Sequence, residues 1–261
     1  MNNKSNSDAL ITEYFNDYLK PNVIAVALTG SAGRGDRDEY SDIDAVVFIE
    51  SEDKKGLIEG KVDYKNLIFD IRISSIISLQ EMEWSEDMYF AYLNSRIIYS
   101  RDNQISNLVG EKRAEWKEKS RSYAILSLVN LSVIFDFNGW HGLNAHSHYH
   151  KAISRGDTTS AHWILGNGLD LILKTVYLLA YNPPPDQKNR IKLLDRFSIL
   201  TQKNLLTFIA DALLVKNLEP AETARRYEAL MCIIEFIKQS VDSSSEEWPK
   251  DFYKFYIENR E

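Results

Sequence analysis

One cysteine, Cys232, stands in 261 residues, so no disulfide can form within the chain. A disulfide-stapled framework is excluded, and a reducing compartment, the cytoplasm, is the expected setting. Cys232 lies in an apolar helical pattern and reads as a buried free thiol. Basic charge is also scarce: 31 Lys and Arg face 38 Asp and Glu, a net charge of −7. That balance argues against nucleic acid as a partner, because nucleic-acid binders carry a basic footprint. Long apolar runs are missing. The best stretch, Leu169–Tyr181, is broken by Asp170 and Lys174, so no membrane partner is expected. The start, MNNKSNSDAL, lacks the apolar core of a signal peptide. Neither GxxxxGK[ST] nor GxGxxG occurs, which removes the P-loop and the dinucleotide fingerprint.

What is present divides near residue 104. Before it, strand-like and helical patterns alternate; after it, only helical spacing recurs. The expected architecture is α+β: a small mixed sheet with helices packed on it over 1–104, then an all-helical bundle over 105–261. Strands are expected at Val23–Thr29, Ile43–Glu50, Leu67–Ile73 and Ile97–Tyr99. Helices are expected at Asp8–Leu19, Ser75–Trp84, Glu86–Asn94, Lys112–Phe137, Asn144–Ser154, Thr158–Tyr181, Lys188–Phe197, Gln202–Val215, Ala221–Ser240 and Glu246–Ile257. Ser51–Asp63 is polar and reads as a loop or weak helix. Asn182-Pro183-Pro184-Pro185 is a hard helix stop.

The chemistry concentrates in Ile24–Ile49, IAVALTGSAGRGDRDEYSDIDAVVFI. Two apolar strands flank a turn of small residues, Gly30-Ser31, and the acids Asp42 and Asp44 open the second strand. Residues two apart on a strand face the same way, so these carboxylates stand side by side and call for a cation between them. A hard divalent ion such as Mg²⁺, shared with substrate phosphates, suits them. Gly30 lets backbone approach a phosphate closely, and Ser31 adds a hydroxyl donor. Asp70, on the next strand, either completes a metal cluster or takes a proton from an attacking hydroxyl. Such a site performs phosphoryl or nucleotidyl transfer by positioning and charge neutralisation.

GSAGRG followed by SDID, with Asp70 on a later strand, resembles the DNA polymerase β-like nucleotidyltransferases. Within them the chain is similar to the bacterial aminoglycoside and lincosamide nucleotidyltransferases, which pair such a domain with a helical bundle. The resemblance implies transfer of a nucleoside monophosphate, AMP from ATP, to a hydroxyl of a small molecule, with Mg²⁺ as cofactor. An aminoglycoside or lincosamide antibiotic is the candidate acceptor; the alternatives are a toxin–antitoxin-type enzyme with a protein or tRNA acceptor, and a non-catalytic nucleotide-binding or HEPN-like module. It also implies that Gly30 and Ser31 form the phosphate turn, Asp42 and Asp44 the metal pair, and Asp70 the third acid.

Other residues carry two readings each. Arg34 is a phosphate contact or a solvated loop arginine. Ser41 is a nucleotide contact or a hydrogen bonder at the strand entry. Lys174, in a helix apolar nearly all round, either reaches a triphosphate or snorkels to solvent. Lys188, with Arg190 and Lys192, neutralises phosphates or opens a helix. His141, His146, His148 and His150 lack the spacing of a zinc site. Trp140 and His141 are candidates to line a substrate cleft. Arg155 and His162 fit the loose R-x4–6-H pattern of helical HEPN-type ribonucleases, although Arg155-Gly156-Asp157 also reads as a turn.

Overall fold

The computed structural model describes residues 9–16, 19–135, 147–194 and 205–242. A first helix, α1 (9–16), precedes five strands: β1 (Val23–Leu28), β2 (Ile43–Ile49), β3 (Gly60–Tyr64), β4 (Leu67–Ser75) and β5 (Arg96–Ser100). Interleaved with them are α2 (Gly30–Arg34), α3 (Ile76–Glu81) and α4 (Glu86–Leu93). The helices α5 (Gln104–Phe135), α6 (His148–Ser154), α7 (Thr158–Leu179), α8 (Gln187–Arg190), α9 (Leu205–Leu213) and α10 (Pro220–Asp242) follow. The fold is α+β, with a mixed sheet ahead of a mostly helical region.

The sheet order is β3-β4-β2-β1-β5. β2 and β4 run parallel, while β1 pairs antiparallel with β2 and with β5. β1 and β2 sit inside the sheet, which is why both are apolar runs rather than alternating ones. One face buries Val26, Leu28, Ile43, Ala45, Val47, Phe69 and Ile71 against Ile11, Tyr14 and Phe15 of α1. Tyr14 stacks on Phe69 with ring centroids 4.5 Å apart. The opposite face meets α4, where Phe48 touches Tyr92. Serines cap the two short helices that follow β4: Ser75 accepts from the Ser78 amide and Ser85 from the Met88 amide.

The end of Ser51–Asp63, expected to be a loop or weak helix, forms the strand β3. It pairs antiparallel with β4 through a two-residue turn, Lys65-Asn66, with φ of 48° and 67°. Both positive angles are those of a hairpin turn matched to strand twist. β3 is an edge strand, and its Lys61 and Asp63 face solvent, the usual protection of an edge.

The chain separates into two compact units, Met1–Trp116 and Lys117–Glu261. In the second, α10 packs on α7 and α9. The Ser127 and Thr175 hydroxyls share a buried 2.6 Å hydrogen bond, and Tyr149 stacks on Tyr227 at 4.3 Å. Asp157 caps α7 by accepting from the Ser160 amide. α8 is four residues long and ends at Arg190; of the helix expected at Lys188–Phe197, residues 195–197 lie outside the described residues. Cys232 is exposed on α10, not buried. The Asn138-Gly139 break, Trp140, His141, His146 and the helix expected at Glu246–Ile257 lie outside the described residues. No described helix is long and apolar enough to cross a membrane.

Candidate active site

β1 ends at Leu28, and the chain turns through Thr29 into α2 at Gly30. The Thr29 amide donates to the Asp44 carbonyl at 2.9 Å, which pins the turn to β2. Gly30 has φ of +55°, where side chains are rarely found, and a Cβ there would stand 2.1 Å from Asp44 Oδ2. Gly33 meets a different limit: its Cβ would lie 2.4 Å from the Leu28 carbonyl oxygen. Both glycines are therefore required by close approach. No side chain caps α2. The turn thus brings bare backbone beside the Asp44 carboxylate, with the half-buried Ser31 next in the chain.

Asp44 is paired in register with Asp70 across the parallel β2–β4 ladder. Residues opposed in this way share a face, with their strands about 4.8 Å apart. Lys61 is opposed to Asp70 across the β3–β4 ladder. One row across the sheet therefore reads Lys61, Asp70, Asp44. Asp42, one residue ahead of β2, joins this row through Lys61, whose Nζ donates to Asp42 Oδ2 at 2.6 Å. The Lys61 ammonium pKa is raised, first by its hydrogen bond to Asp42 and then by the charges of Asp42, Asp70 and Asp44. Lys61 was missed in the sequence because β3 was read as a loop or weak helix. The alternation of Val62 and Tyr64 with Lys61 and Asp63, running into LIFDIRI, was the available signal.

The remaining candidates are distributed differently. Arg34 is 6% exposed; its Nε lies 3.3 Å from Asp36 Oδ1 and its guanidinium packs over the Phe90 ring. It braces the turn from behind. The Ser41 hydroxyl donates to Asp38 Oδ1 at 2.6 Å, and its carbonyl accepts from Arg37 Nε. Ser41 thus ties the loop ahead of Asp42 to itself. Lys174 is half-buried on α7 of the second unit. Lys188 is 81% exposed and lies 3.4 Å from Asp186. Its neighbour Arg190 pairs with Asp170 and donates to the Pro185 carbonyl, so it fastens the proline segment to α7.

The ribonuclease-like pair does not come together as a reactive couple. Arg155 is exposed at the end of α6. His162 is buried at 8% exposure, with Nδ1 2.8 Å from Arg226 Nη1. His150 is engaged by Ser147, with 2.6 Å between Nδ1 and Oγ.

The acids Asp42, Asp44 and Asp70 offer only hard oxygen donors, the set Mg²⁺ takes, and the Lys61 ammonium is a stand-in for positive charge among them. Among the described residues no group of three or more His, Cys, Asp or Glu side chains is gathered for a metal. The residues fit an ion held by one or two carboxylates and completed by substrate phosphates, Mg²⁺'s common mode with nucleotides.

The small mixed sheet carries a glycine turn, an Asp-x-Asp strand entry and a third acid on the neighbouring strand. Residues 10–95 match the family model of the nucleotidyltransferase domain. No curated protein matches the chain. A solved structure, a nucleotidyltransferase-like protein from Exiguobacterium sibiricum 255-15, is similar over 97% of this chain and 80% of its own, at 12% identity and a TM-score of 0.44. That likeness is too loose to add to the argument.

Proposed function

We propose that this protein moves a nucleoside monophosphate, AMP from ATP, onto a hydroxyl of a small molecule, with an aminoglycoside or lincosamide as the leading acceptor class. The observation that carries the reading is the fit of the Gly30 backbone against the Asp44 carboxylate, inside the segment that matches the nucleotidyltransferase domain. A backbone turn that can lie along phosphates and a carboxylate that can share a cation with them are brought within contact distance.

In this reading the turn at Gly30 and Ser31 binds the triphosphate through backbone N–H groups and the Ser31 hydroxyl. Asp42 and Asp44 would hold Mg²⁺, which when bound neutralises triphosphate charge and stabilises the leaving pyrophosphate. Asp70, beside Asp44 in the neighbouring strand, takes the proton of the attacking hydroxyl. The acceptor oxygen bonds to the α-phosphorus, the bond from that phosphorus to the β-bridging oxygen breaks, and pyrophosphate departs. Arg34 and Ser41 act indirectly, by holding the turn and the loop that carry the binding groups. Effective positioning of this kind is the main source of rate in phosphoryl transfer.

The net charge of −7 favours a cationic small acceptor over tRNA. The experiment is a pyrophosphate-release screen with Mg²⁺ and each NTP against aminoglycosides, lincosamides and tRNA. Release with a small hydroxylic acceptor supports the reading; release with tRNA alone replaces its acceptor half; no release with any of them refutes it.

A further inference from the structure

Lys61 bypasses its direct neighbour. Its cross-strand partner is Asp70, yet the ion pair is made with Asp42, which lies beyond β4 at the entry to β2. The side chain crosses over β4, and its ammonium feels Asp42, Asp70 and Asp44 together. The lysine side chain is 65% exposed, and Asp42 is 32% exposed. Nothing packed has to move for the ammonium to leave, and an exposed pair of this kind is weak. Like charges in one carboxylate set repel, so an ammonium bound to Asp42 and a divalent ion bound to Asp42 exclude each other.

We propose that Lys61 is the resident cation of the acidic row: it neutralises Asp42 before the metal binds, and metal binding displaces it. This rests on the nucleotidyltransferase reading and deepens it. It follows that Lys61 weakens binding of a bare divalent ion. The ion is then taken up best together with the triphosphate, whose own negative charge offsets the ammonium left nearby. An edge strand suits the task, because its side chains swing without disturbing the core.

The test measures Mn²⁺ binding to the full chain without nucleotide, from the electron paramagnetic resonance signal of free Mn²⁺. Lys61→Met is expected to bind Mn²⁺ at least about fivefold more tightly than the wild type. Lys61→Arg, which keeps the charge, is expected to stay within about twofold of it. A second readout is made on the wild type, with the charge-keeping variant used only for assignment. In protein ¹³C-methylated at its lysines, adding Mg²⁺ shifts one resonance, and that resonance is the one missing from Lys61→Arg. Equal or weaker Mn²⁺ binding by Lys61→Met, or a Lys61 resonance indifferent to Mg²⁺, overturns the displacement and leaves the nucleotidyltransferase reading standing. No Mn²⁺ binding by any form overturns the metal pair and the displacement together.

Discussion

The Gly30 Cα lies against the Asp44 carboxylate so closely that a methyl group there would come within 2.1 Å of Oδ2. A backbone turn and an acid fourteen residues apart in the chain are thus fitted to each other without room for a side chain. Gly30→Ala is therefore expected to do two things. It strains a residue with φ of +55°, which costs about 1 kcal/mol or more of stability. It also pushes the Asp44 carboxylate aside, and a displacement near 1 Å costs on the order of 10²-fold in rate. Pyrophosphate release should fall far more than the melting temperature would explain. Activity within twofold of the wild type would show that the Asp44 position is not used.

Asp42→Asn and Asp44→Asn separate charge from shape, since each replaces one carboxylate oxygen by an amide of similar size. Both are expected to abolish pyrophosphate release with the folded circular dichroism spectrum retained. Asp42 is a half-exposed partner of Lys61, so its loss should barely affect stability. Unchanged activity in both variants sinks the assignment of these acids as the metal pair.

The sheet strands that form the site were largely readable because burial on both faces leaves near-continuous apolar runs, as in Val23–Leu28 and, apart from Asp44, Ile43–Ile49. β3 was not readable in the same way. An edge strand bears charge on its outer face, and Lys61 and Asp63 look like loop residues until the alternation with Val62 and Tyr64 is given weight. The hairpin turn also hid, because Lys65-Asn66 adopts positive φ without glycine. Missing the strand meant missing Lys61. Arg34 and Ser41 have the chemistry of phosphate ligands, but their partners Asp36, Phe90 and Asp38 are chosen by local backbone geometry that composition does not encode. Cys232 shows the same limit: a helix with apolar spacing still has an outer face, and the spacing alone did not say on which side residue 232 falls.

In the second unit, Gly168 on α7 carries the Phe135 ring. A Cβ at Gly168 would stand 1.9 Å from Phe135 Cζ, and Phe135 is fully buried. Gly168→Ala gains about 1 kcal/mol of helix propensity, yet overpacking a filled core costs roughly 1–3 kcal/mol. The net expectation is a lower urea midpoint for the variant. A raised midpoint would mean that the ring has room to step aside.

His162 makes stability depend on pH in a predictable direction. Arg226 always donates, so Nδ1 of His162 accepts at 2.8 Å, and the ring proton sits on Nε2, a buried atom without a hydrogen-bond partner among the described residues. Burial, then the Arg226 charge, lowers the pKa below the ordinary 6.5. The folded state thus holds the imidazole neutral, while the unfolded chain takes up a proton near pH 6.5. Stability is complete above that pH and falls as pH drops below it, at no more than ~1.4 kcal/mol per pH unit from this one group. Urea unfolding of the wild type and of His162→Gln, whose amide oxygen can still accept from Arg226, checks the sign. The wild type should lose more stability than the variant between pH 7.5 and pH 5.5 (the endpoints set about one unit either side of the ordinary histidine value). Parallel losses in the two proteins would show that the protonation of His162 does not oppose the fold.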